Sequence, residues 1–352
     1  MKKIKPQGWT DHGIEARRYD LAVVIGRFQP FHNAHEKLIE RAKQHSDHVL
    51  VLIGSSFIAR NIKNPFTYDE RVQMLPTGVV SAPIEDELYN DQHWVARVQQ
   101  QVEDELHQLY DDIGECTVCI VGHEKDDSSQ YLRWFPQYAF EEVPSLATLD
   151  STKIRDILFG SEMIPADVMP ERVQTFIKAW RISNEEIYFN LCAEHKFIKE
   201  YKQMWAAAPF QPVFVTTDAV VICQGHILLI KRRMAPGKGL WALPGGFLGA
   251  NEKIEDSMIR ELEEETRIKV SSDMLRACTK GNHVFDHPRR SERGRTITHA
   301  YLVVLQERAL PKVRGSDDAE RAKWFPLSEF YEMMDQMYED HYSIATYMIN
   351  RA

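Results

Sequence analysis

The stretch 26-GRFQPFHNAH-35 decides the fold of the first half of the chain. An apolar run, LAVVI at 21–25, precedes it and has the length and β-branched content of a buried strand. The segment after it carries apolar residues at helical spacing. Asn33 and Glu36 resemble a capping box, so we expect this helix to begin near Ala34. The unit is therefore a strand, a tight loop and a helix.

The loop within this unit has the features of a phosphate-binding site. We expect His32 and His35 to flank the helix N-terminus, where free backbone N–H groups and the helix dipole attract anions. Gly26 permits close approach of the backbone to a ligand, and Arg27 adds a positive charge. Two histidines by themselves would equally fit a solvated capping turn, whereas the complete arrangement favours the phosphate site.

Length and composition indicate two domains and argue against some classes of protein. The chain has 352 residues, which is long for one domain, and its hydrophobic share of 43% is enough for sizeable cores. The net charge of −9 argues against a non-specific nucleic-acid-binding protein, because such proteins carry a basic surface. We find no signal peptide and no apolar run of membrane-spanning length. Together with five cysteines, an odd number, these features fit the reducing cytoplasm.

The first half alternates strands and helices. After a polar lead-in at 1–18, the alternation runs from Tyr19 to about Phe159. The predicted strands are 21–25, 48–53, 117–121 and 138–143, and the predicted helices are 33–45, 67–75, 91–109 and 151–158. This pattern predicts an α/β fold with a doubly wound, Rossmann-like parallel sheet. Ligands of such sheets bind at the carboxyl ends of strands near the switch point, where the loop 26–32 would lie.

A long amphipathic helix, predicted over 184–206, follows, and prolines in 207–212 end it. We therefore expect domains at 1–183 and 212–352, joined by a linker at 184–211. Exposed apolar residues on the linker helix would favour a homo-oligomer, although the sequence locates no interface. The second domain is predicted to be an α+β sandwich. Its predicted strands are 213–222, 226–233, 299–305 and 322–327, and its predicted helices are 252–266 and 328–350.

Two motifs of the first domain resemble those of the nucleotidyltransferase superfamily. The 26–35 stretch resembles its H-x-G-H phosphate-binding signature, with Ala34 at the usual glycine position. At the far end of the domain, 151-STKIR-155 resembles the S-T-x-I-R segment, which places a helix N-terminus and an arginine on a triphosphate. Such a segment can bind phosphate because it combines the hydroxyls that cap the helix, the free backbone N–H groups of its first turn and a cation one turn later. A single STKIR would be an ordinary helix start, whereas the two motifs together predict a nucleotide site.

Three further stretches narrow the resemblance to nicotinamide-mononucleotide adenylyltransferases of the archaeal-like type. They are 53–71, 83–98 and 121–136. The resemblance implies that Asp86, Asn90 and Trp94 hold the nicotinamide end of the substrate. An aromatic face against a pyridinium ring is a favourable cation–π contact, although Trp94 would also fit a core position of its helix. Asp126 and Asp127 would also fit a solvated turn.

The implied reaction is adenylyl transfer from ATP to nicotinamide mononucleotide, which gives NAD and pyrophosphate. Such transfers depend on positioning and charge neutralisation and need no protein nucleophile. We expect His32, His35 and Arg155 to act catalytically with Mg²⁺. The expected substrate-binding residues of the two motifs are Gly26, Arg27, Phe28, Ser151 and Thr152. A different phosphate acceptor is the alternative, which the 83–98 stretch disfavours.

A second site is predicted at 246-GFLGANEKIEDSMIRELEEETRI-268, which resembles the Nudix box G-x5-E-x7-R-E-U-x-E-E-x-G-U. The matching positions are Gly246, Glu252, Arg260, Glu261, Leu262, Glu264, Glu265 and Ile268. Three of the glutamates, at i, i+3 and i+4, share one helix face, and we assign catalysis and metal binding to them: Glu261, Glu264 and Glu265. Carboxylates at this spacing suit Mg²⁺ or Mn²⁺, although a solvated acidic face would show the same charges. Gly246 is expected to contact substrate, and Arg267 replaces the final glycine of the box.

The segment 286–301 resembles a stretch of ADP-ribose pyrophosphatases, so we expect Arg293 and Arg295 to meet phosphates; a basic surface loop is the alternative. The implied reaction is metal-dependent hydrolysis of ADP-ribose to AMP and ribose 5-phosphate. Two alternatives for the second domain stay open. It could hydrolyse NADH or another nucleoside diphosphate, or it could be an ADP-ribose sensor that regulates the first domain. Both halves, in this order, resemble bifunctional nicotinamide-mononucleotide adenylyltransferase/Nudix hydrolases. Their implied small-molecule partners are ATP, nicotinamide mononucleotide, NAD and ADP-ribose.

Overall fold

The computed structural model describes most of the chain as two compact units, Met1–Phe189 and Asn190–Ala352. The described residues are 19–124, 127–144, 150–160, 164–165 and 167–351. The predicted lead-in at 1–18 and the predicted turn residue Asp126 lie outside them. The division between the units falls within helix α6 (Glu185–Met204), and the domain bounds predicted from the sequence stay predictions.

The first unit contains a parallel sheet. Its strands are β1 (Leu21–Gly26), β2 (Val49–Ile53), β3 (Val80–Pro83), β4 (Val118–Gly122) and β5 (Ala139–Glu142). Its helices are α1 (Asn33–His45), α2 (Tyr68–Val72), α3 (Asp91–Leu109), α4 (Ser151–Phe159) and α5 (Glu171–Ser183). The strands lie in the order β3-β2-β1-β4-β5 and all their pairings are parallel. The predicted doubly wound α/β sheet is confirmed, and the loop after β1 lies at its switch point.

Burial explains why these strands could be predicted. Every residue of β2 is buried, as are the first four residues of β1, because helices cover both faces of a parallel sheet. From α3, Val98, Val102 and Leu106 pack into the same core. The polar loops are left at the carboxyl ends of the strands.

The caps of two helices differ from the predictions. The helix α1 begins at Asn33, within one residue of the predicted start, but the capping box is formed by His32 and His35 rather than by Asn33 and Glu36, and the side chain of His35 accepts the N–H of His32. Asp150 caps α4, since its carboxylate accepts the N–H of Lys153 at 3.0 Å. The hydroxyls of STKIR therefore do not supply that cap, because a carboxylate one residue earlier fills the position.

The second unit contains a mixed sheet. Its strands are β6 (Val213–Cys223), β7 (His226–Arg232), β8 (Trp241–Ala242), β9 (Gly245–Phe247), β10 (Thr279–Phe285), β11 (Arg295–Leu305) and β12 (Ala319–Pro326). Its remaining helices are α7 (Ile254–Thr266), α8 (Ser272–Ala277), α9 (Leu327–Phe330) and α10 (His341–Ile349). The main order is β10-β11-β6-β7-β12, with β8 beside β7 and β9 beside β6. From α7, Met258, Ile259 and Leu262 pack against this sheet. Among the described residues, every helix is too short or too polar to span a bilayer.

The predicted helix over 328–350 is wrong, because two short α-helices, α9 and α10, flank a segment whose only helical part is a single 3-10 turn at Met334–Gln336. That segment is held by tertiary contacts. The N–H of Tyr338 donates to the carbonyl of Trp241 at 2.8 Å, and Asp340 forms a buried bidentate ion pair with Arg290 at 2.9 Å. These contacts override the local helical pattern.

Candidate active sites

The loop after β1 holds an aromatic wall beside the histidines. Phe28 has a left-handed backbone (φ 53°), and its ring folds back so far that a Cβ on Gly26 would lie 3.0 Å from it. The ring of Phe28 is 1% exposed and lies edge-on to His35, with centroids 4.8 Å apart. Phe28, predicted to bind substrate, is thus buried in this structure and packs against His35.

His32 and His35 are brought together as predicted. Their rings stack with centroids 3.7 Å apart, and the backbone N–H of His32 donates to Nδ1 of His35 at 3.3 Å. This bond assigns the proton of a neutral His35 to Nε2. Burial, and secondarily the proximity of His32, holds the pKa of His35 well below 6.5. Near pH 7 His35 is therefore neutral and can donate one hydrogen bond from Nε2.

The start of α4 is tied to this loop. Arg155 donates to the carbonyl of Gln29 at 2.7 Å and to Oγ1 of Thr152 at 3.2 Å. The hydroxyl of Ser151 donates to the carbonyl of Pro30 at 3.4 Å. The two predicted motifs, 126 residues apart at Gln29 and Arg155, thus meet at one edge of the sheet. Arg155 is 7% exposed, so in this structure it holds the loop in place.

The residues predicted for the nicotinamide end take three different positions. Asp86 accepts the backbone N–H of Ser55 at 3.0 Å and also its hydroxyl. Asn90 caps α3 by accepting the N–H of His93 at 3.1 Å. Trp94 is half-buried in an aromatic cluster. Its ring partners are Tyr131 at 5.4 Å, Phe135 at 6.0 Å and Trp134 at 6.1 Å. Tyr131 donates to the carbonyl of Ile25 at 3.4 Å, which places this cluster near the end of β1.

Arg71 is a positioning residue that the sequence reasoning missed. Its guanidinium is fully buried and donates to the carbonyl oxygens of Arg27 at 2.8 Å, Gly54 at 2.6 Å and Ser55 at 3.1 Å. It therefore joins the loops that follow β1 and β2. Burial lowers the pKa of Arg71 to about 10, so it stays charged at pH 7. Its partners are backbone atoms of distant loops, and side-chain spacing gives no signal of them.

In the second unit, Arg260 organises the glutamates of α7. It forms a bidentate pair with Glu252 at 2.6 and 2.9 Å and donates to Glu261 at 2.8 Å and Glu264 at 3.0 Å. Hydrogen bonds from Arg260, and then from the N–H of Gly249, lower the pKa of Glu252 to about 2. Glu252 is therefore ionised and anchors Arg260 against the other carboxylates.

The two glycines of β9 make room for two carboxylates. A Cβ on Gly246 would lie 2.5 Å from Cδ of Glu261, and a Cβ on Gly245 would lie 2.1 Å from the carbonyl oxygen of Thr217. The N–H of Gly245 donates to Glu265 at 2.9 Å. Gly246, predicted to contact substrate, thus leaves the space that Glu261 occupies.

The surroundings of Glu261 and Glu265 favour a bound cation. Burial raises the pKa of Glu261 and raises that of Glu265 to about 8, and neighbouring carboxylates add to both shifts. One neighbour of Glu265 is Asp218, a buried residue missed by the sequence reasoning, which accepts from Thr298 at 2.5 Å. Within the described ranges, no group of three or more His, Cys, Asp or Glu side chains is arranged to hold a metal ion. The oxygen donors fit a hard divalent ion by their chemistry, while Arg260 is the cation that bridges them here.

Arg267, which replaces the final glycine of the box, is the residue at which α7 ends. It adopts the left-handed conformation (φ 47°, ψ 33°), and its N–H donates to the carbonyl of Glu263 at 2.9 Å. A non-glycine residue there costs about 1 kcal/mol. Its side chain donates to the hydroxyl of Ser316 at 3.0 Å, which helps to offset that cost.

The two predicted phosphate-binding arginines differ in their contacts. Arg293 lies over the ring of Phe247 at 4.9 Å, and its buried Nε has no hydrogen-bond partner among the described residues. Arg295 donates to the carbonyl of Asp286 and lies 3.9 Å from that residue's carboxylate. Arg293 thus has an unsatisfied buried donor, whereas Arg295 is engaged in its own loop.

Known proteins match each unit separately. The Cytidylyltransferase-like family matches residues 23–183, and the NUDIX domain family matches residues 214–347. Nicotinamide/nicotinic acid mononucleotide adenylyltransferase of Acinetobacter baylyi is 35% identical over 190 residues, which cover 51% of this chain and 95% of that protein. ADP-ribose pyrophosphatase of Methanocaldococcus jannaschii is 34% identical over 116 residues, which cover 32% of this chain and 62% of that protein.

A solved structure matches both units together. The crystal structure of a bifunctional NMN adenylyltransferase/ADP ribose pyrophosphatase from Francisella tularensis, complexed with AMP and Mn ion, aligns with a TM-score of 0.87 and 37% identity. The alignment covers 95% of this chain and 99% of that one. The chain belongs to this bifunctional family. A second structure of the Francisella protein gives a TM-score of 0.88. Nudix hydrolases depend on divalent metal ions, which agrees with the oxygen donors on α7.

Proposed function

We propose that the chain catalyses two reactions of NAD metabolism, one in each unit. The first transfers the adenylyl group of ATP to nicotinamide mononucleotide and gives NAD and pyrophosphate. The second hydrolyses ADP-ribose to AMP and ribose 5-phosphate. Family membership supports both, because the similarity to the Francisella enzyme extends over 99% of its length. We place these reactions in the cytoplasm, which agrees with five cysteines that are all free thiols.

The junction between the loop after β1 and the start of α4 carries the first activity. A triphosphate at this junction would lie at the positive end of the α4 dipole and beside the stacked pair of His32 and His35. A phosphate oxygen of nicotinamide mononucleotide attacks the α-phosphorus of ATP, and the bond from that phosphorus to the pyrophosphate oxygen breaks. Nε2–H of neutral His35 donates to the phosphoryl oxygen on which charge builds up. The aromatic face of Trp94 would take the nicotinamide ring.

The carboxylates of α7 carry the second activity. Mg²⁺, or Mn²⁺, held by Glu261, Glu264 and Glu265 would activate water and shield the diphosphate. Arg260 keeps the carboxylates in place through its pair with Glu252. Arg293, which is half-buried, supplies a cation to the diphosphate.

The test is to incubate the protein with nicotinamide mononucleotide, ATP and MgCl₂ and to measure NAD by chromatography. Hydrolysis is then measured with ADP-ribose, NADH and other nucleoside diphosphates, with Mg²⁺ or Mn²⁺. We expect NAD in the first assay and fastest hydrolysis of ADP-ribose in the second. Absence of NAD would overturn the first assignment. Faster hydrolysis of NADH would replace the second, and binding of ADP-ribose without turnover would make the second unit a sensor.

A further inference from the structure

A four-residue segment before α10, 338–341, is bound on one side to the strand that leads into the Nudix box. We call it the bridging segment. The N–H of Tyr338 donates to the carbonyl of Trp241 at 2.8 Å, and Nδ1 of His341 accepts the N–H of Leu243 at 3.0 Å. Its two outer residues are therefore fixed to the chain just before the glycines of β9.

The two inner residues of the bridging segment bind the loop between β10 and β11. We call this loop, 286–294, the arginine loop, because it contains three arginines. Asp340 forms its bidentate ion pair with Arg290 at 2.9 Å, and both side chains are buried. A carboxylate oxygen of Glu339 accepts the backbone N–H of Glu292 at 3.2 Å. The bridging segment thus joins the arginine loop to the strand that opens the Nudix box.

The backbone of Glu339 is left-handed (φ 44°), a conformation that residues with a side chain rarely adopt. It persists only where the surrounding contacts impose it. Tyr338, before it, packs so tightly that a Cβ on Gly237 would lie 2.2 Å from its ring, and Asp340, after it, belongs to the buried ion pair. Both neighbours therefore hold the backbone of Glu339, with its carboxylate on the arginine loop.

The hydrogen bond from Glu292 acts on the residue just before Arg293, the cation predicted to meet the diphosphate. The buried Nε of Arg293 has no hydrogen-bond partner among the described residues, so no printed side-chain bond fixes this arginine from its own loop. Burial raises the pKa of Glu339, and the charge of Arg293 opposes that shift, which shows that the two charges are neighbours. Glu339 is thus placed to fix both the backbone and the charge environment of Arg293.

We propose that Glu339 is a positioning residue for ADP-ribose hydrolysis, and that it holds Arg293 in place for the diphosphate through the N–H of Glu292. This inference rests on the proposed hydrolysis of ADP-ribose. A buried ion pair adds little net stability compared with apolar side chains of the same size. The pair of Asp340 and Arg290 is therefore better explained by the conformation that it imposes on the arginine loop.

The test compares three variants of the full chain. Glu339→Gly removes the carboxylate and keeps the left-handed backbone, which glycine adopts without strain, whereas Glu339→Gln keeps an oxygen that can accept from Glu292. Asp317→Gly is the matched control, because Asp317 is also an acidic, left-handed residue (φ 54°) of the second unit and is exposed. Each variant is assayed for KM and kcat with ADP-ribose and Mg²⁺, for the Kd of ADP-ribose in EDTA by titration calorimetry, and for its thermal melt.

Loss of the carboxylate should raise the KM and the Kd for ADP-ribose about tenfold in Glu339→Gly, with kcat within about twofold of the wild type. Glu339→Gln and Asp317→Gly should match the wild type, and all three melts should be unchanged. An unchanged KM and Kd in Glu339→Gly, or an equal rise in Asp317→Gly, would overturn the proposal.

A double-mutant comparison asks whether Glu339 acts through Arg293. In an Arg293→Gln background, Glu339→Gly should raise the Kd by less than about twofold, because the side chain that it positions is already gone. A further tenfold rise in that background would give Glu339 a general structural role and overturn the proposal. The Kd is measured without turnover, so a wild type that binds ADP-ribose without hydrolysing it would refute the proposed reaction, and the Kd values would still decide the role of Glu339.

Discussion

Replacing Gly246 by alanine should abolish most hydrolysis of ADP-ribose while leaving adenylyl transfer intact. The new Cβ would lie 2.5 Å from Cδ of Glu261, and ordinary van der Waals contact begins at 3.4 Å, so the carboxylate must retreat by about 0.9 Å. Displacement of a catalytic group by about 1 Å costs about a hundredfold in rate. We therefore expect kcat/KM for ADP-ribose to fall by about that factor.

The protein fold should tolerate this substitution, because the displaced atoms are the far end of a flexible side chain. The assay is the initial rate of AMP formation from ADP-ribose, run beside NAD formation and a thermal melt. Gly281→Ala is the matched control, since a Cβ on Gly281 of β10 would meet nothing within 4 Å. If Gly246→Ala keeps at least half of the hydrolysis rate with an unchanged melt, the placement of Glu261 in the catalytic site is refuted.

Three further predictions concern the first unit. His35→Ala should lower kcat for NAD formation by about a hundredfold, because one hydrogen-bond donor to the phosphoryl oxygen is lost, and ATP binding should change little. An equal loss in kcat and in ATP affinity would contradict the role of Nε2. Arg71→Met should lower the free energy of unfolding by about 3 kcal/mol in urea titrations, because three carbonyl oxygens lose their charged donor, and Arg71→Lys should restore only part. The contribution of His35 to the free energy of unfolding should also fall as the pH drops below about 6.5, because burial depresses the pKa of His35 and only the unfolded chain then takes up that proton; a pH profile unchanged by His35→Asn would contradict this.

Helices and strands that are determined by their own residues were predictable from the sequence. Continuous apolar runs identified β1, β2 and β4, since strands buried on both faces must be apolar throughout. The bounds of α1 and α3 agree with the predicted 33–45 and 91–109. The Thr67/Glu70 capping box that opens α2 was also visible in the sequence, and the structure contains it.

Features set by distant contacts were not predictable. β3 was missed because it is a short, partly exposed edge strand that ends in a proline. The segment between α9 and α10 has helical composition, yet the ion pair of Asp340 with Arg290 fixes another conformation. The role of Arg71 depends on backbone carbonyls of two loops, which lie far from it in the sequence.

The central claim is that one chain holds two separate active sites, and crossed inactivation tests it most directly. His35→Ala and Glu264→Gln are each assayed for NAD formation from ATP and nicotinamide mononucleotide and for AMP formation from ADP-ribose. We predict that His35→Ala loses only the first activity and Glu264→Gln only the second, with the other rate in each case within about twofold of the wild type. Loss of both activities in either variant, with an unchanged thermal melt, would contradict two separate sites.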